Sequence, residues 1–146
     1  MTRKTVLHTG AAGLTLAVCL AAASPVLAET VTMKANLASS AEVPPNDSTG
    51  TGTVTITFDT ASKKLTWQGT YSGLSGPPTA AHFHGPAEAG KNAGVAVPIA
   101  GAGSSPFQGS ADLTDAQAAD LMGGKWYVNV HTEKSKGGEI RGQLAK

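Results

Sequence analysis

Three histidines, His82, His84 and His131, carry the most pointed chemistry in this chain of 146 residues. In Ala81-His82-Phe83-His84, an extended strand sends successive side chains to opposite faces. Both imidazoles then leave one face about 6.5 to 7 Å apart while Phe83 enters the other. In Tyr127-Val128-Asn129-Val130-His131-Thr132 the alternation recurs, with Val128 and Val130 on the core face and Asn129 and His131 on the opposite one. If the two strands are neighbours, His131 completes a set of three nitrogens. Imidazole suits copper and zinc, and three protein nitrogens leave a position for water or a substrate. One copper ion is the first expectation and zinc the alternative. The competing account is structural: the rings hydrogen-bond backbone carbonyls near the loop 85–94 and stiffen a rim.

Candidates for a fourth ligand are Met33, Asn129, Glu133, Glu139 and Met122, and the soft thioethers would favour copper. Met122 closes a short helix and is expected in the core. In Gly137-Gly138-Glu139-Ile140-Arg141-Gly142-Gln143-Leu144, alternation puts Glu139, Arg141 and Gln143 on one face. They form either a solvated face with a Glu139/Arg141 pair or a layer beside the histidines in which Arg141 holds an anion. Trp67, Trp126 and Tyr127 read as core or strand-packing aromatics.

These side chains need a β scaffold, and the sequence supplies one. Thr53-Val54-Thr55-Ile56-Thr57-Phe58 alternates polar and apolar, Asp59 to Lys63 supplies turn residues, and Lys64 to Tyr71 alternates again; the two runs predict a hairpin. Further strands are expected at Val31 to Leu37, Thr79 to His84, Gly94 to Ile99, Phe107 to Leu113, Trp126 to Thr132 and Glu139 to Leu144. About eight short strands predict an all-β fold, a Greek-key β-sandwich or flattened barrel. The one helical signal is Thr114 to Met122, a connector in which Thr114 and Gln117 form a capping box and Gly123-Gly124 ends the turn. The segments Ala41 to Gly52, with Pro44-Pro45, and Gly85 to Gly94, with Pro86, are loops that a rigid sheet could use for binding.

Residues 1–28 read as a secretory signal peptide: Arg3 and Lys4 precede an apolar run from Ala11 to Ala23, and small residues surround Ala28. The run is too short for a membrane span, and Val18 ahead of Cys19 argues against lipid attachment there. Residues 29–146 would form one β domain, periplasmic or secreted. With the only cysteine inside the leader, that domain has no disulfide, thiolate ligand or thiol nucleophile. The formal charge of +1 turns slightly negative once Arg3 and Lys4 are removed, which argues against nucleic acid. Nucleophile elbows, phosphate loops and paired carboxylates are missing, so a hydrolase is disfavoured.

The segments Glu42-Val43-Pro44-Pro45, Thr79-Ala80-Ala81-His82-Phe83-His84-Gly85-Pro86-Ala87, Leu113-Thr114, Trp126-Tyr127-Val128-Asn129-Val130-His131-Thr132 and Gly138-Glu139-Ile140-Arg141-Gly142-Gln143 together resemble the CHRD domain, named after chordin. The resemblance spans about Val31 to Leu144 and implies a secreted or periplasmic β domain. It specifies fold better than function. The histidine pattern is also similar to the copper half of Cu/Zn superoxide dismutase, which would make His82, His84 and His131 copper ligands with Arg141 beside an open position. The chain departs from that enzyme in having no bridging histidine, zinc-binding loop or disulfide.

The leading expectation is therefore an exported copper-binding protein that sequesters, buffers or delivers the ion. It would work with a metal-delivery or metal-receiving protein, without a membrane contact after signal cleavage, and as a monomer or a homodimer. A mononuclear copper redox enzyme acting on superoxide, with Arg141 steering the anion, and a metal-free adhesion or protein-interaction module are the alternatives.

Overall fold

The computed structural model describes residues 28–146; the signal peptide read from residues 1–28, with Cys19, lies outside the described residues apart from Ala28. Eight strands follow in chain order: β1 Thr30–Ala38, β2 Thr51–Asp59, β3 Lys64–Ser72, β4 Pro78–His84, β5 Val95–Pro98, β6 Phe107–Asp112, β7 Tyr127–Thr132 and β8 Ile140–Gln143. Among the described residues one α-helix, α1, spans Asp115–Met122 between β6 and β7, and a short 3-10 turn spans Ser39–Ala41 after β1. Among the described residues no helix is long and apolar enough to cross a membrane.

The strands form one antiparallel sheet in the order β5-β4-β7-β8-β1-β2-β3-β6, rolled into a nearly closed barrel. The expected hairpin is present, with β2 and β3 paired from Thr51↔Ser72 to Phe58↔Leu65. Asp59 shapes its turn by accepting hydrogen bonds from the amides of Ala61 and Ser62 and from the Ser62 hydroxyl. One half of the sheet contains β1, β2, β3 and β6, the other β4, β5, β7 and β8. The β1–β8 seam is narrow, with Ala38 opposite Arg141 and an isolated bridge between Lys34 and Ala145.

Alternation within each strand accounts for the core. Val31, Met33, Ala35 and Leu37 of β1 are buried together with Val54, Ile56 and Phe58 of β2, and with Phe83, Val128, Val130 and Ile140 from the other half. The halves meet at an edge-to-face contact between Trp67 of β3 and Phe83 of β4, ring centroids 5.3 Å apart. The helix starts as the sequence predicts: the Thr114 side chain accepts from the Gln117 amide while the Gln117 side chain accepts from the Thr114 amide. Gln117 also donates to the Ala96 carbonyl at 3.0 Å, tying the connector to the segment of β5.

One part of the last strand departs from simple alternation. Strand pairing begins at Ile140, and Gly138 just before it has φ +132°, so Glu139 does not share the outward face of Arg141. Its carboxylate is fully buried and accepts from Ser48 Oγ at 2.6 Å, the Ser75 amide at 2.7 Å, Ser75 Oγ at 2.7 Å and Thr132 Oγ1 at 2.5 Å. This network pins two loops to the end of β7. Burial raises the carboxyl pKa, but the hydrogen bonds from Ser48, Thr132 and Ser75 outweigh it and bring the group from its ordinary 4.5 to about 2. Because the folded-state value is depressed, the stabilisation is complete above the unfolded value of 4.5 and disappears as pH falls through about 2. Glu139→Gln should lower the unfolding free energy at pH 7 by roughly 2–3 kcal/mol. Urea denaturation of both proteins should show that difference shrinking as pH falls from 4.5 towards 2; a difference that is absent at pH 7 or independent of pH would contradict this role.

Candidate metal centre

Antiparallel pairing of β4 with β7 sets His82 opposite Asn129 and His84 opposite Tyr127, with His131 across from Ala80. Pairing of β7 with β8 then sets Asn129 opposite Arg141. Alternation sends Phe83, Val128, Val130 and Ile140 into the core and leaves His82, His84, Tyr127, Asn129, His131 and Arg141 on the other face. The three histidines consequently converge: one ring nitrogen from each lies within 4.8 Å of the others. His82 and His131 are half-buried, and His84 is buried.

The ring orientations are held from outside the cluster. His84 Nδ1 lies 3.0 Å from the Ala93 carbonyl, and His131 Nδ1 lies 2.9 Å from the Lys136 carbonyl. A carbonyl oxygen only accepts, so both Nδ1 atoms carry the hydrogen and both Nε2 atoms of the neutral rings present lone pairs inward. This is the arrangement by which backbone carbonyls usually orient histidine ligands. His82 Nδ1 sits 3.1 Å from His131 Nε2. Desolvation lowers the His82 pKa, helped by His131 and His84. Desolvation also lowers that of His84, against the raising effect of its bonds to Ala93 and Asn129 and with help from His131 and Arg141. Both shifts favour the neutral, ligand-competent ring.

Both loops singled out in the sequence cover this face. Asn92 Nδ2 donates to the Val43 carbonyl at 3.0 Å and so links the two segments. Arg141, only 2% exposed, donates to Asn92 Oδ1 at 2.8 Å and to the Lys91 carbonyl at 2.5 Å. Its guanidinium also lies 3.3 Å from the centroid of Tyr127, and Tyr127 stacks on His84 with ring planes 2° apart and centroids at 4.8 Å. Arg141 therefore supports His84 through Tyr127, with two of its donors engaged by the loop.

The other sequence candidates separate cleanly. Asn129 is at the centre of the cluster, its Oδ1 3.0 Å from His84 Nε2 and 2.9 Å from His131 Nε2. Met33 is 2% exposed in the hydrophobic core, because β1 alternation puts it on the inner face. Glu133 lies on the surface beside Lys136, 3.7 Å away. Glu139 belongs to the serine and threonine network, and Met122 packs against the core. Among the described residues, then, no thioether or carboxylate joins the three histidines.

Sequence reasoning missed Glu42 as part of this region. Its carboxyl is 5% exposed and lies against the Asn129 amide, although Oε1 itself makes no hydrogen bond of good geometry. Desolvation raises its pKa from 4.5 to about 7, opposed by the Arg141 charge and by hydrogen bonding to Asn129 and to the Val43 backbone. The close fit explains Gly138: a Cβ there would fall 2.2 Å from Glu42 Oε1 and 2.6 Å from Asn129 Nδ2. In the sequence Glu42 stands out only as the first residue of the Glu42-Val43-Pro44-Pro45 segment within the loop Ala41 to Gly52, and no spacing links it to the histidines.

Comparison with known proteins follows the same boundaries as the fold. No curated protein and no solved structure matches the chain, and the likeness of the histidines to those of Cu/Zn superoxide dismutase gains no support. The family model described as the CHRD domain matches residues 33–144, a span running from β1 to the residue after β8 and containing all three histidines, Asn129 and Arg141. The chain belongs to the CHRD domain family.

Proposed function

We propose that this protein is exported, binds one copper ion through His82, His84 and His131, and sequesters, buffers or delivers it. The observation that carries the reading is the convergence of three imidazoles within 4.8 Å, two of them turned by backbone carbonyls so that lone pairs point inward. Scattered structural histidines would each find a separate partner; these share one centre. The donor chemistry fits copper or zinc, since imidazole suits both. Export rests on the leader-like residues 1–28, and a periplasmic or secreted setting follows from it. A delivering or receiving protein would approach on the side where His82 and His131 are half-buried.

The geometry favours binding over turnover. A redox enzyme acting on superoxide would benefit from a cation facing an open coordination position, whereas Arg141 is buried and committed to Asn92, Lys91 and Tyr127. A metal-free interaction module would leave the three lone-pair donors without a task.

Two measurements test this reading. Protein exported by a bacterial host and purified without a histidine tag should contain close to one equivalent of metal by mass spectrometry, and the His82→Ala/His84→Ala double variant should contain almost none; equal metal in both would contradict the site. Added Cu(II) or Zn(II) at about a hundred times the dissociation constant should stabilise the apoprotein by about 2.7 kcal/mol. That rise should be seen as a higher Tm in calorimetry and be missing in the double variant; a rise of the same size in the variant would place the ion elsewhere.

A further inference from the structure

We infer that Asn129 is the fourth protein donor, through Oδ1, and that the resulting three-nitrogen, one-oxygen set selects the divalent ion, Cu(II) or Zn(II), over Cu(I). The inference rests on the metal-binding reading above and concerns which ion that site holds.

The argument starts from protons. With hydrogen on Nδ1 of both His84 and His131, set by the Ala93 and Lys136 carbonyls, each Nε2 offers a lone pair. Those lone pairs lie 3.0 and 2.9 Å from Asn129 Oδ1, itself an acceptor without a proton. A hydrogen on His82 Nδ1 can bridge to His131 Nε2 at 3.1 Å, but it leaves the other two contacts as acceptor against acceptor. Turning the amide over would relieve them, but would place Oδ1 against the Glu42 carboxyl, where Nδ2 now lies. The carboxyl presents acceptor oxygens to the amide, which pair with its Nδ2 donor rather than with Oδ1. Oδ1 is thereby held towards the rings.

The two contacts at Asn129 Oδ1, 3.0 and 2.9 Å long, set acceptor against acceptor and are repulsive unless a positive charge, a ring proton or a metal ion, lies between them. Donors about 2.0 to 2.1 Å from one metal ion are separated by about 2.9 to 3.4 Å when adjacent, the spacing of the two Asn129 contacts and of the His82–His131 contact; the histidine nitrogens, spread over as much as 4.8 Å, draw closer together on an ion. Asn129 is also in the right place by register rather than by side-chain reach: it sits directly opposite His82 and two residues before His131 on the same face.

The composition of the set then decides the ion. Cu(I) is favoured by soft thiolate and thioether ligands, whereas amide oxygen is a hard donor. Met33 is in the core, Met122 packs beside it, and the only cysteine lies in residues 1–28. A hard oxygen stands where a thioether would be needed.

The test compares the wild-type chain with Asn129→Ala and with the near-isosteric Asn129→Asp. Divalent affinity is measured by Cu(II) and Zn(II) competition against a chromophoric chelator, Cu(I) affinity against bicinchoninate, and the Cu(II) environment by electron paramagnetic resonance. Asn129→Ala should weaken divalent binding by at least the roughly 10- to 100-fold that losing even an outer-shell partner costs, while leaving Cu(I) affinity within about twofold, a split that a residue which only positions the rings would not produce. Asn129→Asp, which retains the shape and supplies a charged oxygen, should bind Cu(II) more tightly with a shifted spectrum, and it carries the test if the alanine variant does not fold. Unchanged spectra and affinities in both variants would overturn the assignment while leaving the three-histidine site standing. Equal loss of Cu(I) and divalent binding in Asn129→Ala would overturn it too, by showing that Asn129 only positions the rings. A wild-type chain that binds none of the three ions would instead remove the metal-binding reading on which the inference rests.

Discussion

The pairing of β4 with β7 is the constraint on which the rest depends. Its register puts His82 opposite Asn129 and Phe83 opposite Val128, so one set of backbone hydrogen bonds fixes both the outward polar cluster and the inward apolar surface. A slip of one residue would exchange the faces, sending histidines into the core and Phe83 into the cluster. The apolar side therefore protects the polar side: Phe83 packs against Trp67 and Trp126, and the cost of exposing it holds the histidines in place. A metal site built on paired strands is more rigid than one built on loops.

The outward face is unusual in being polar and buried. Asn129 and Arg141 on it, and Glu139 at its edge but turned away from it, are each at most 2% exposed, and burying such groups is tolerable only where partners satisfy them. The loops provide those partners. Lys91, Asn92 and Ala93 engage Arg141 and His84, while Ser48 and Ser75 engage Glu139. Glu42 is the exception: its carboxyl is buried with incomplete hydrogen bonding, and its pKa rises to about 7 as a result. Such a group next to a cluster of lone-pair donors fits a region shaped to hold a cation, because a nearby positive charge would offset the cost of its ionisation.

Much of this was legible in the sequence because it is local. The strands, the β2–β3 hairpin, the Thr114/Gln117 capping box and the sharing of one face by His82, His84 and His131 follow from alternation and from capping chemistry over a few residues. The same rule could have set Met33 aside, since it shares the inner face with Val31, Ala35 and Leu37. What alternation could not show was tertiary. Gly138 interrupts the pattern and turns Glu139 towards Ser48 and Thr132. Arg141 is captured by a loop some 50 residues away in the chain, and Glu42 reaches Asn129 only because the chain folds its loop over the sheet. Family membership adds the span of the domain, residues 33–144, and leaves the chemistry to be read from the side chains.

The central claim is that the lone pairs gathered by β4 and β7 hold one metal ion. Crystals of the tagless protein grown with one equivalent of Cu(II) or Zn(II), with data collected on either side of that metal's absorption edge, test it most directly. The account predicts a single strong anomalous peak about 2.0 to 2.1 Å from one nitrogen each of His82, His84 and His131, with Asn129 Oδ1 at coordination distance. No peak at that cluster, or peaks only at exposed side chains elsewhere, would contradict it.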